Sequence, residues 1–119
     1  MKKETTKLSN EQIQEKASEL EKKFGGKVTP IVFEIPETEE QVIGYLKEPN
    51  RLAKTRILDK AMAGMMVSAA QDLLELTIIA EASDPRIMSE LPENDTYNLG
   101  AAMAAQGLVK FAVNTFKKK

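Results

Sequence analysis

A chain of 119 residues fits one folded domain, and its 42% hydrophobic and 29% charged residues describe a globular protein, not a disordered or fibrous one. Seventeen basic residues against eighteen acidic ones leave a net charge of −1, so no global field draws the chain to nucleic acid or to an anionic membrane. Cysteine and histidine are both missing, which excludes disulfides, thiolate nucleophiles, Cys/His metal sites and imidazole as a general base.

The segment Leu8-Ser9-Asn10-Glu11-Gln12-Ile13 reads as a helix start. Ser9 caps, Gln12 reaches back as a capping box, and Leu8 staples onto Ile13. Ile13, Ala17, Leu20 and Phe24 then repeat at helical spacing, and Gly25-Gly26 supplies the left-handed stop. Residues 1–8 are expected to be a disordered tail before a single domain spanning 9–119. Lys2, Lys3 and Glu4 lack the apolar core of a signal peptide, and no apolar run approaches the ~20 residues that span a bilayer. A cytoplasmic protein without a membrane partner is the expectation.

From Lys27 the pattern turns β-branched and aromatic, with Ile31, Phe33 and Ile35 alternating onto one face and Pro30 favouring an edge. Pro36 to Glu40 reads as an acidic turn, and Val42-Ile43-Gly44-Tyr45-Leu46 as the return strand of a hairpin. Pro49 suits the first turn of a second helix through Leu52, Arg56, Ile57 or Leu58, and Met62, and Gly64 interrupts it. Residues 65–82 carry apolar side chains around too much of the circumference for one core stripe, so a single long helix there is either central or meets a partner. Asp84-Pro85 ends it, and Pro92 with Glu93 and Asp95 opens a last helix expected to run to Phe116, its Gly100, Ala101, Ala102, Ala104, Ala105 and Gly107 allowing close helix approach. The predicted fold is α+β and mainly helical: an N-terminal helix, a β-hairpin, then three helices packed as a small bundle.

Catalytic and metal constellations are weak in this pattern. Glu37, Glu39 and Glu40 fall in a turn where carboxylates are usually solvated, and Glu93 and Asp95 stand where a helix N-terminus favours acids. Ser68, Ser83 and Ser89 lack the spacing that sets a serine on a strained turn beside a base. No cofactor is called for and no enzyme is expected. Arg51, Lys54, Arg56 and Lys60 form a basic stretch that would contact an anion, whether phosphate or an acidic partner face, or simply be a solvated helix face, since no aromatic residues interleave it. Met62, Met65, Met66, Met88 and Met103 are the richer signal, with a cluster at Met62, Met65 and Met66. Methionine fills irregular cores, and it also lines surfaces that adapt to partners. Met62, Met65, Met66, Leu73, Leu74 and Ile78 are therefore the candidate partner-binding residues.

The stretch Gly44-Tyr45-Leu46-Lys47-Glu48-Pro49-Asn50-Arg51, followed by Leu58-Asp59-Lys60-Ala61, resembles small proteins encoded among the tail genes of phages and prophages of Bacteroides-like bacteria. The resemblance extends back through Lys22-Lys23-Phe24-Gly25 and forward through Asp84-Pro85-Arg86-Ile87 to Phe116-Lys117-Lys118-Lys119, covering most of the chain in element order. It implies a tail assembly chaperone that binds tail or virion proteins in the host cytoplasm. Such a mechanism needs more exposed apolar area than a monomer normally shows, so self-association is expected when the partner is missing. An alternative of the same origin is a structural or packaged virion protein, as of a crAss-like phage, with permanent subunit contacts. A small nucleic-acid-binding regulator acting through the basic stretch is the third expectation.

Overall fold

Ser9 starts the first helix as its sequence predicts: its hydroxyl accepts the Gln12 N–H at 3.2 Å while the Gln12 side chain accepts the Ser9 N–H at 2.9 Å. Gly25, with φ of 76°, ends the helix by donating to the Glu21 carbonyl at 2.8 Å. The computed structural model describes residues 8–108. In chain order these form α1 (Asn10–Phe24), β1 (Val28–Ile35), β2 (Glu40–Lys47), α2 (Arg51–Met62), α3 (Met66–Thr77) and α4 (Asp95–Ala105). Short 3-10 turns lie at Ala80–Ala82, Pro92–Asn94 and Gln106–Leu108. The architecture is α+β and mainly helical. Leu8 is tied into it, since the Gln41 side-chain amide accepts its N–H at 2.9 Å and donates to its carbonyl at 3.2 Å. The remainder of the expected tail, residues 1–7, lies outside the described residues.

The hairpin divides the molecule. β1 and β2 pair antiparallel with Ile31 opposite Gly44 and Phe33 opposite Val42, so Ile31, Phe33, Val42, Gly44 and Leu46 share one face while Val28, Ile43 and Tyr45 share the other. On the second face, α1 lays Ile13, Ala17 and Leu20 against Val28, Tyr45 and Ile79. On the first face, Ile31, Ile35, Val42 and Leu46 pack with Ile57 of α2, with Ala69, Ala70, Leu73 and Leu74 of α3, and with Ala101, Ala102 and Ala105 of α4. Each fully buried Leu or Ile there contributes about 2 kcal/mol of transfer free energy. At Gly100 the small residues of α4 admit a strand and not the helix expected: a Cβ added there would stand 2.6 Å from the Phe33 ring, so glycine is what lets α4 rest on β1, while Gly107 has nothing within 4 Å of its Cβ.

Three sequence expectations change. Pro49 is buried ahead of α2 and not in its first turn; Asn50 is the N-cap, its side chain accepting the Ala53 N–H at 2.8 Å, a bond that proline cannot make. The single helix expected over residues 65–82 stops at Thr77. Ile78 turns extended, with ψ of 136°, and forms a bridge with Leu46, while the Ile79 N–H donates to the Tyr45 carbonyl at 2.9 Å. The β-branched run Thr77-Ile78-Ile79 gives up helix easily and closes the outer edge of β2 instead. In the last helix, Pro92 opens a 3-10 turn and α4 proper runs from Asp95 to Ala105; the expected continuation from 109 to Phe116 lies outside the described residues.

Candidate functional site

The tip of the α2–α3 hairpin carries the candidate methionines. Met62 is the last residue of α2, Gly64 turns the chain with φ of 90°, and Met66 opens α3. The Gly64 N–H donates to the Ala61 carbonyl at 3.0 Å and the Met65 N–H to the Lys60 carbonyl at 3.1 Å, so the turn is held by backbone bonds. Its apolar side chains are not needed to close it. Met62 is 87% exposed, Met66 57%, Val67 52% and Met65 50%. Met65 also occupies the N-cap position of α3 and makes no side-chain cap bond. A Ser, Asp or Asn there would stabilise the helix by about 1 kcal/mol, so the tip holds apolar residues against local helix preference.

Beside the tip, Ile57, Leu58 and Ala61 of α2 face Met66, Ala69 and Ala70 of α3 across a groove of about 210 Å³. That is below the ~300 Å³ at which small-molecule sites begin, and it is the scale of apolar side chains from a partner.

The structure divides the six candidate partner residues. Leu73 and Leu74 are 1% and 0% exposed and belong to the core, because α3 turns its Ala69-Ala70-Leu73-Leu74-Thr77 stripe onto the hairpin. Ile78 is half-buried against the same core and is committed to the bridge with Leu46. These three are withdrawn from the surface, which rests on Met62, Met65 and Met66, joined by Val67. The sequence reading missed Val67 because a broadly apolar helix does not reveal which arc faces out.

The basic stretch does not act as one patch. Lys54 pairs with Glu48 and Lys60 with Asp72, each at 2.6 Å, while Arg51 and Arg56 are exposed. Five residues apart on a helix, these two arginines point about 140° away from each other, which suits no single phosphate run.

Glu40 departs from the expectation of a solvated turn acid. It accepts from the Tyr97 hydroxyl at 2.7 Å and from Arg86 at 3.0 Å; Arg86 also donates to Asp84 at 3.0 and 2.8 Å and stacks 4.1 Å from the Tyr97 ring centroid. The Tyr97 hydrogen bond, then that from Arg86, holds the Glu40 carboxyl below its usual range, and the Arg86 guanidinium does the same to Asp84. Hydrogen bonding to Glu40 raises the Tyr97 phenol in turn. The cluster ties the start of β2 to the loop before α4. In the sequence Asp84-Pro85 read only as a helix stop; the bonding of Arg86 to Asp84, Glu40 and Tyr97 belongs to the fold. Glu37 and Glu39 are exposed, as is Glu93, and Asp95 stands in the first turn of α4.

Ser83 is structural: its hydroxyl accepts the Tyr45 N–H at 2.9 Å and donates to the Ile79 carbonyl at 2.8 Å. Among the described residues no group of three or more Asp and Glu side chains is placed to hold a metal ion. No helix of the described residues is long and apolar enough to cross a membrane. Compared with protein-family models, with curated proteins and with solved structures, the chain finds no match in any of the three.

Proposed function

We propose that this protein is a binding protein without turnover, which holds an aggregation-prone tail or virion protein in the host cytoplasm until assembly, as a tail assembly chaperone does. The observation that carries the reading is the tip of the α2–α3 hairpin, where three methionines and a valine, each at least half exposed, stand together on a turn that the backbone alone closes. Contiguous apolar exposure at a tip is costly in a free monomer and useful on a partner, and unbranched methionine adapts to the irregular surface of an incompletely folded one. The phage context comes from the sequence resemblance; the chemistry comes from the tip.

The test is quantitative mass spectrometry of purified particles against the lysate from which they come. The chaperone reading expects the protein to be abundant in lysate and missing from particles. Presence at fixed copy number in particles overturns it in favour of a structural subunit, whose apolar tip would be a permanent contact.

A further inference from the structure

On the side of the hairpin opposite the methionine tip, α1 covers its face only in part. Between α1 and β2 runs an open groove of about 570 Å³. Ile43, Tyr45 and Ala82 form its floor, Glu15 and Glu19 stand one helical turn apart on its α1 wall, and Leu8 lies at its edge, held there by Gln41. Tyr45 is only 3% exposed, yet its hydroxyl makes no hydrogen bond with any described residue. No side-chain polar atom of the described residues is both sealed from solvent and unpartnered, so this hydroxyl must reach the groove that its ring lines. Burial pushes the phenol up, keeping it protonated and able to donate. Glu15 and Glu19 are in no ion pair among the described residues, whereas Asp84 across the groove is already held by Arg86. Among the described residues, Lys16 is the one cation lining the groove.

We infer that this groove binds an extended segment of a partner protein carrying a lysine or arginine flanked by apolar residues. The cation sits between Glu15 and Glu19, its aliphatic stem crosses Ile43 and the Tyr45 ring, and a backbone carbonyl of the segment accepts the Tyr45 hydroxyl proton. The wall from Gln12 to Glu19 is about 10 Å of helix, the length of three extended residues, which is why one cation between two apolar neighbours fits. Recognition runs through side chains, because the outer edge of β2 is already bonded to residues 78–84. The inference is independent of the methionine tip and does not need the assembly role.

The test uses the full chain and a fluorescein-labelled nonapeptide of alternating leucine and lysine, followed by anisotropy at low ionic strength. The wild type is expected to bind it, and to bind neither the peptide with glutamate for lysine nor the peptide with serine for leucine. Glu15→Gln with Glu19→Gln is expected to weaken binding about tenfold, and Tyr45→Phe, which keeps the ring, about fivefold. Glu37→Gln, which removes an exposed turn carboxylate away from the groove, is expected to change nothing. Amide shift mapping on the wild type gives a readout that needs no variant to fold, with the largest shifts expected at Glu15, Glu19, Tyr45 and Ala82. Failure of the wild type to bind, equal binding of the serine peptide, unchanged binding by both groove variants, or shifts concentrated elsewhere overturns the inference.

Discussion

Replacing Leu74 by alanine and, separately, Met62 by serine tests whether α3 and the tip divide core from surface as described. Leu74 is fully buried among β2, α2 and α4, so the substitution removes its transfer free energy and leaves a cavity that the fixed hairpin cannot close. Buried Leu→Ala changes cost about 2 to 5 kcal/mol, and about 3 kcal/mol suits a site packed on every side. A domain of about 100 residues has an unfolding entropy near 0.2 kcal/mol/K, so the melting temperature should fall by about 15 °C. Met62 is 87% exposed, and its loss should move stability by no more than about 0.5 kcal/mol. Urea and thermal unfolding followed by circular dichroism measure both, and sedimentation velocity reads self-association, which Met62→Ser should reduce while Leu74→Ala, where still folded, should not. Equal destabilisation by the two changes, or a melting temperature unmoved by Leu74→Ala, refutes the assignment of Leu74 to the core.

Gly100→Ala puts a Cβ 2.6 Å from the Phe33 ring and should cost about 1 to 3 kcal/mol in the same unfolding assay, whereas Gly26→Ala, with nothing within 4 Å of its Cβ, should cost little. Combining Gly100→Ala with Phe33→Leu should recover part of the loss if that ring is the obstruction. Ser9→Ala removes the capping box and should lower stability by about 1 kcal/mol, with amide exchange quickening first in the opening turn of α1. Glu40 and Asp84 have folded pKa values depressed below 4.5 and 3.8, so the stability they contribute is present above those values and is lost as pH falls through the folded ones. An acid titration of unfolding should therefore show a decline below about pH 4.5 that Arg86→Met flattens; an identical decline in the variant would remove Arg86 as the cause.

How far the sequence carried the reading depended on whether a signal was local. The capping box at Ser9, the glycine stop at Gly25, the hairpin and the break at Gly64 are written in neighbouring residues, and each forms where expected. The end of α3 was not legible, because the apolar residues of 65–82 cover too much of the circumference for helix periodicity to say where the run stops. Its end is set by the outer edge of β2, which offers Ile78 and Ile79 backbone partners that a continued helix would forgo. The same blindness placed Leu73, Leu74 and Ile78 on the partner surface. Methionine composition located the tip, but only the rotation of α3 against the hairpin decided that Met66 and Val67 face out while Leu73 and Leu74 face in.

That early end of α3 also shapes what the protein can bind with. Had the helix continued, β2 would have kept an open edge, and strand pairing between copies would have competed with any side-chain surface. Instead residues 78–84 seal that edge, with Ser83 and the backbone of Ile79 and Asp84 bonded to Tyr45 and Ile43. On the other edge, β1 carries Pro30, which has no N–H to give, and the Val28 N–H is taken by the Glu21 carboxylate at 3.1 Å. With both hairpin edges blunted, association is left to side chains, and among the described residues the exposed apolar side chains that stand closest together along the chain are at the α2–α3 tip. On the proposed reading, partner affinity is then set by side-chain contacts, which a single substitution such as Met62→Ser should weaken.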